Sequence, residues 1–373
     1  MNPSVPGPRV YRLAAERRFR EIPNAVKSHP VDVLWTNGVG ETALHILCRS
    51  RHLGEPDHRR AVESIVEEDP SLLAQLAGGV GCRWTPLMMA CDREFLWRSV
   101  TLTEVDAAAD SLIIHLVKAC PKAVLKDYGR RVATPLKLAC KNNASLEVLR
   151  CMVQAVRLDE AEKYLVTECL LKLWEVQFWT RRPNDDPAFV QDESLSYAKM
   201  QLLLQAGFEG KVSDDDDSNV LFAACSLRCP RDYLDKILTR HKDKCSLSHP
   251  KTGLLPLHYA IQSANPQNVS AYTSFLIHRL VDLYPDAARV PFSSDDLLLP
   301  LHVLIADQRM TWHHGGVEPL ALAAPEVLDM PDPRNGLVPA LASAMQAYLS
   351  LRHLSTTYEL LRLAPQVITY GFG

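Results

Sequence analysis

The chain has 373 residues, 47% of them hydrophobic and 23% charged, and a formal net charge of only −3. That is the composition of folded domains; disorder would need far less apolar material. The near-neutral balance excludes a global pull toward nucleic acid or an anionic membrane, so only local charge can argue for either.

Met1–Val10 is proline-rich and runs into the charged stretch Tyr11–Arg20, so neither a signal core nor a transit segment is expected. The first pair of helices is expected soon after, with Ala25-Val26 leading to Pro30. A helix-opening phrase then appears at Thr42-Ala43-Leu44-His45. It returns at Thr85-Pro86-Leu87-Met88, Thr134-Pro135-Leu136-Lys137, Leu255-Pro256-Leu257-His258 and Leu299-Pro300-Leu301-His302, with weaker copies beginning at Asn219 and Val338. Successive starts lie 43, 49, 85, 36, 44 and 39 residues apart. The 85 is about twice the others, which places a worn copy between Arg157 and Lys211, and a period near 40 implies a solenoid, a propeller or an array.

The chemistry of the phrase is that of a helix start. Threonine caps free amides, and proline fits the first turn because its missing N–H is not needed there. Small residues follow, as in Leu47-Cys48, Ala90-Cys91, Ala139-Cys140 and Ala224-Cys225, so neighbouring units can approach closely. A second phrase, two apolar residues and then proline four residues on, recurs at Ile65-Val66 to Pro70, Leu116-Val117 to Pro121, Leu280-Val281 to Pro285, Leu320-Ala321 to Pro325 and Leu360-Leu361 to Pro365. Most copies carry another apolar pair four residues earlier, the stripe of an amphipathic helix that proline then stops. Met152-Val153 and Leu203-Leu204 keep the helix without the proline. The apolar run Tyr164–Trp179 carries Glu168, Lys172 and Glu175 and is not a membrane span. With no alternating strand pattern in competition, the chain reads as about nine helix pairs, each followed by a polar or glycine-containing turn.

Thr-Pro-Leu-x-x-Ala-Cys and Thr-Ala-Leu-His-x-Leu-Cys resemble the helix-opening phrase of ankyrin repeats, and Leu203-Leu204-Gln205-Ala206-Gly207 is similar to the end of that family's second helix. The resemblance extends from Arg9 to the C-terminus and implies an all-α, ankyrin-like solenoid of helical pairs. Its units would be a capping pair over 9–36, repeats over 37–80, 81–126 and 127–158, an irregular repeat over 159–212, repeats over 213–250, 251–294 and 295–331, and a capping repeat over 332–373. The period exceeds the family's 33, with extra length between paired helices at Phe95–Val105 and Arg49–Arg59. The irregular unit pairs a long helix, Glu160–Trp179, with a polar loop, Arg181–Asp192.

Residues that invite chemistry have simpler roles. His45, His258 and His302 hold one position in different units, roughly 10 Å from one unit to the next, too far to share a metal; each is expected to tie down its own turn. Cys48, Cys91, Cys140 and Cys225 are equivalent core fillers. The ten cysteines include no CxxC pair and are expected to be reduced, consistent with a cytosolic or nuclear location. Cys225, Cys229, Cys245 and His249 lack zinc-knuckle spacing, and His313-His314 is a turn. Asp214–Asp217 lacks the glycine and glutamate of an EF-hand and is expected to be a solvated helix start. No nucleophile elbow, phosphate loop, HExxH or kinase phrase occurs, so no catalytic residue, metal or cofactor is expected.

Charge separates along the chain. Residues 1–60 hold ten basic and six acidic residues, and 159–217 hold six basic and fourteen acidic. By the resemblance, the concave face is built from turn tips and first helices and carries Trp35, Arg49, Arg83, Trp84, Arg93, Tyr128, Arg130, Lys141 and Asn142. Arginines beside aromatics are the composition of an interface core. The expectation is a monomeric, non-catalytic scaffold that binds a protein, through an acidic segment, with no membrane or nucleic-acid partner. Two alternatives stay open: an enzyme whose site hides in the irregular unit, which needs a titratable cluster in one pocket, and nucleic-acid binding by the basic N-terminal repeats, which needs a continuous basic stripe.

Overall fold

A computed structural model of the chain describes residues 7–50, 52–77, 84–92, 104–125, 134–156, 163–179, 193–209, 219–227, 229–263, 271–293, 297–306, 311–347 and 352–370. These residues are predominantly helical, and their only strand-like feature is an isolated antiparallel bridge between Ala77 and Trp84. The chain divides into two compact units, Met1–Ser213 and Asp214–Gly373.

The first unit contains α1 (Arg9–Ala15), α2 (Ile22–Ser28), α3 (Ala43–Cys48), α4 (Pro56–Glu68), α5 (Pro86–Cys91), α6 (Glu104–Ala119), α7 (Pro135–Lys141), α8 (Leu146–Ala155), α9 (Lys163–Trp179) and α10 (Glu193–Glu209). The second contains α11 (Val220–Ser226), α12 (Arg231–Arg240), α13 (Pro256–Gln262), α14 (Ala271–Leu283), α15 (Pro300–Ala306), α16 (Val317–Ala323), α17 (Pro339–Ala347), α18 (Arg352–Leu363) and α19 (Val367–Tyr370). Within each unit, like packs on like. In the first, α1, α3, α5, α7 and α9 touch in succession, as do α2, α4, α6, α8 and α10. In the second, α11, α13, α15 and α17 form one row, and α12, α14 and α16 another.

Local chemistry explains the boundaries. Thr85 and Thr134 are extended, and their side chains accept from the amides of Met88 and Lys137, while Pro86 and Pro135 open the helices behind them. At the far end of the second helices, His29, Asp69, Cys120, Tyr284 and Ala324 share one conformation, φ between −136° and −148° with ψ between 69° and 95°. Each precedes a proline whose ring crowds the helical conformation out. That proline then opens a short 3-10 turn, such as Pro70–Ala74 or Pro325–Asp329, which buries Leu72 and Leu73 or Val327 and Leu328. The sequence marks the stop but not this turn. It also places the end of a helix near Gly207, whereas α10 continues to Glu209. Arg181–Asp192, Phe95–Thr103 and Asp214–Asp217 lie outside the described residues.

Leu116 on α6 and Leu280 on α14 are at most 2% exposed. Leu116→Ala and Leu280→Ala are each expected to destabilise the fold by about 2–5 kcal/mol in urea unfolding, through lost transfer energy and a residual cavity. Gly316, at the start of α16, has φ +91°, and a Cβ there would lie 2.5 Å from Cγ2 of Ile277 on α14. Gly316→Ala should therefore lower the melting temperature, and adding Ile277→Ala should recover less than the whole loss, because the left-handed backbone remains strained.

Candidate partner-binding surface

The nine residues expected on the binding face fall into three groups. Arg83, Arg93, Tyr128 and Arg130 lie outside the described residues. Arg49, just after α3, and Lys141, the last residue of α7, are exposed, seven residues beyond Thr42 and Thr134 respectively. Trp35 and Trp84 are half-buried, and Asn142 is buried.

Arg49 is held in place. Its Nη1 donates to Glu41 Oε1 at 2.7 Å, and Asn37 Nδ2 donates to Glu41 Oε2 at 3.0 Å and to the Tyr11 hydroxyl at 2.8 Å. Asn37 Oδ1 in turn accepts from the amides of Val39 and Glu41 at 3.0 and 2.8 Å, an Asx-type turn that fixes the loop before α3. The network Tyr11–Asn37–Glu41–Arg49 presents a charged group on an ordered support. Asn37-Gly38 fits the polar, glycine-containing turn expected between pairs; the roles of Tyr11 and Glu41 have no such local sign, since they depend on contacts between loop and helix.

Trp35 does not stand free at a turn tip. Its ring meets Tyr11 edge-on with centroids 4.6 Å apart and packs against Gly7, so much of its apolar area is used within the first pair. Trp84 is fixed by its backbone, with N–H···O bonds of 2.8 and 2.7 Å exchanged with Ala77. Asn142 requires correction as an expected exposed contact: its Nδ2 donates to the Cys91 carbonyl at 2.8 Å, tying the end of α7 to the end of α5. Ser263 to the Cys225 carbonyl, at 2.8 Å, and Gln346 to the Ile305 carbonyl, at 2.6 Å, repeat that bond in the second unit. A polar residue at this position satisfies a carbonyl that the preceding short helix leaves without an internal partner.

The phrase histidines also reach further than their own turns. His45 Nδ1 accepts from the Thr42 amide at 3.1 Å, which leaves Nε2 to donate to the carbonyls of Gln75 and Trp84 at 3.2 and 3.3 Å. His258 likewise accepts from the Leu255 amide and donates to the Val290 carbonyl at 2.9 Å, and His302 donates to the Met330 carbonyl at 3.1 Å. Each thus joins its own helix to the segment before the next pair. Burial holds all three below the ordinary imidazole pKa, His45 at about 4.

Other reactive side chains are similarly engaged. Among the described residues no group of three or more His, Cys, Asp or Glu is placed to hold a metal ion. The Cys169 hydrogen bond, and then burial, raise the thiol pKa of Cys140 well above its usual range; burial does the same for Cys225 and pushes Cys245 up to about 11. His249 packs edge-on against Phe222. Lys199, in the irregular pair, is 3% exposed, and burial lowers its pKa to about 8. Its amine donates to the Asn143 carbonyl at 3.3 Å and to Asn143 Oδ1 at 2.8 Å, just past the end of α7, where a cation suits the helix dipole. A surface cavity of about 500 Å³ at the basic start of the chain is lined by Arg17, Arg18 and Arg20, but also by Glu21, Glu55 and Asp57. Arg18 is bonded to Glu21 and Arg20 to Asp57, so this stretch is locally neutralised.

No helix among the described residues is long and apolar enough to cross a membrane. Compared with protein-family models and with curated proteins, the chain matches none.

The buried histidines set a pH dependence. His45 and His58 each have a folded-state pKa of about 4 against 6.5 when free, in both cases from burial. Between those values the unfolded chain binds more protons, so stability falls as pH drops from about 6.5 to about 4, by on the order of 3 kcal/mol per histidine. Urea unfolding at stepped pH should show that slope, and the double variant His45→Gln/His58→Gln should show a shallower one from a lower starting stability.

Proposed function

We propose that the chain is a non-catalytic scaffold: an ankyrin-like stack of helix pairs whose turn tips and first helices, on the concave face, bind another protein. The observation that carries this reading is that side chains able to do chemistry are occupied in joining successive pairs. His45, His258 and His302 reach forward to carbonyls before the next pair, Asn142 reaches back to the preceding one, and Lys199 caps α7. At the first unit's helix ends the exposed basic side chains are Arg49, ion-paired to Glu41, and Lys141 at the end of α7. Such an array suits recognition of an acidic segment, with steering that weakens as salt rises. A cytosolic or nuclear setting belongs to the same reading, because the cysteines act as reduced core residues.

A crosslinking pull-down from cells expressing the chain should place the partner's crosslinks on 37–158. Arg49→Glu with Lys141→Glu is expected to weaken the captured complex about tenfold, or about 1.4 kcal/mol, while circular dichroism and melting temperature stay unchanged. Affinity that is unchanged by the double reversal and insensitive to salt overturns the reading.

A further inference from the structure

We propose that Asn335 is a site of covalent modification by water: it deamidates through a cyclic imide to aspartate and isoaspartate, while Asn37, in the chain's other Asn-Gly pair, is held against the same reaction. An asparagine side chain is the right length to close a five-membered ring with the next amide nitrogen, and a following glycine brings no Cβ to hinder that approach. By sequence the two pairs are alike. An ideal Cβ built on Gly38 or on Gly336 meets no atom within 4 Å, so open space beside the glycine does not separate them either.

Hydrogen bonding to the side-chain amide separates them. Asn37 is half-buried, and its amide takes part in four bonds: Nδ2 donates to the Tyr11 hydroxyl and to Glu41 Oε2, and Oδ1 accepts from the amides of Val39 and Glu41. Turning Cγ toward the Gly38 nitrogen breaks all of them. Asn335 is exposed, and among the described residues its side chain has a single bond, from the Leu337 amide to Oδ1 at 2.9 Å. The Gly336 amide donates to the Asp332 carbonyl at 2.7 Å, so attack there waits for that bond to open. Opening an exposed turn at two bonds is a smaller local unfolding than dismantling the Asn37 network.

The reaction balances with water alone. Hydroxide removes the Gly336 amide proton, the nitrogen bonds to Asn335 Cγ, and the Cγ–Nδ2 bond breaks, so that Nδ2 leaves as ammonia with protons from solvent. Water then opens the ring. Cleavage between the nitrogen and Cγ leaves aspartate, and cleavage at the main-chain carbonyl leaves isoaspartate, whose backbone runs through Cβ and Cγ. One water is consumed, one ammonia is released, and nothing is oxidised or reduced. The turn so altered ties neighbouring pairs together. Asp332 accepts from the Arg334 amide and guanidinium and donates its own N–H to the Leu337 carbonyl, and Arg334 Nη2 reaches the His302 carbonyl at 3.4 Å. An isoaspartate lengthens the chain inside that loop, immediately before α17.

The test holds the full chain, folded, in mildly alkaline buffer and follows both Asn-Gly peptides by mass spectrometry, with isoaspartate read by enzymatic methylation. The expected result is conversion at Asn335 at least about tenfold faster than at Asn37, with both aspartate and isoaspartate formed and a rate that rises with pH. In urea, where neither turn persists, the two peptides should convert at comparable rates. Asn335→Gln, whose longer side chain closes the ring poorly, should abolish the signal at that peptide with an unchanged circular-dichroism spectrum. Equal rates in the folded chain, faster conversion at Asn37, or the same disparity in urea each overturns the proposal, as does a product containing aspartate alone.

Discussion

A helix of six or seven residues has almost no interior. Its first four amides and last four carbonyls lack partners within it, and a segment this short is not stably helical alone in water. α3, α5 and α7 are of this kind, so these first helices must draw hydrogen bonds from outside, unlike the 17-residue α9. Threonine supplies the front end at α5 and α7, and proline removes an amide that would otherwise need a partner. The back end is satisfied from the following pair, as when Asn142 covers the Cys91 carbonyl. Packing and hydrogen bonding therefore fail together: a first helix without its neighbour loses both its buried face and its terminal bonds.

This dependence also explains where the repeated histidines and thiols are used. An imidazole that accepts from its own helix start and donates to the next turn has no nitrogen left for a substrate, and burial keeps it neutral. Thiols at the end of the small helix are placed for close approach, and the same burial suppresses the thiolate that reactivity requires. The contacts that make successive pairs cohere thus engage these histidines and thiols, while the solvent-facing helix ends and turns are the surface free to vary.

The sequence made the row of short helices legible because the cap, the proline and the small residues lie within seven positions of one another. Helix stops were legible for the same reason. What it could not disclose were contacts between distant residues, such as the 51 that separate Asn142 from Cys91 and the 26 that separate Tyr11 from Asn37. Asn142 looks like an exposed polar residue after a helix, and only its distance from Cys91 reveals it as a link. Tyr11 and Glu41 give no local sign that they support Arg49, and Trp35, conspicuous as a possible anchor, is largely used against Tyr11 and Gly7. Local rules thus located the elements, while the role of each surface residue depended on which neighbour the stack brought to it.

The position three residues after the phrase start shows how one site serves two purposes. At α3, α13 and α15 a histidine there forms a directional bond to a carbonyl ahead of the next pair, whereas Met88 and Phe222 hold the same place as buried apolar residues. A directional polar contact and a non-directional apolar one thus serve the same place in successive pairs, the first by a hydrogen bond to the following segment and the second by buried area.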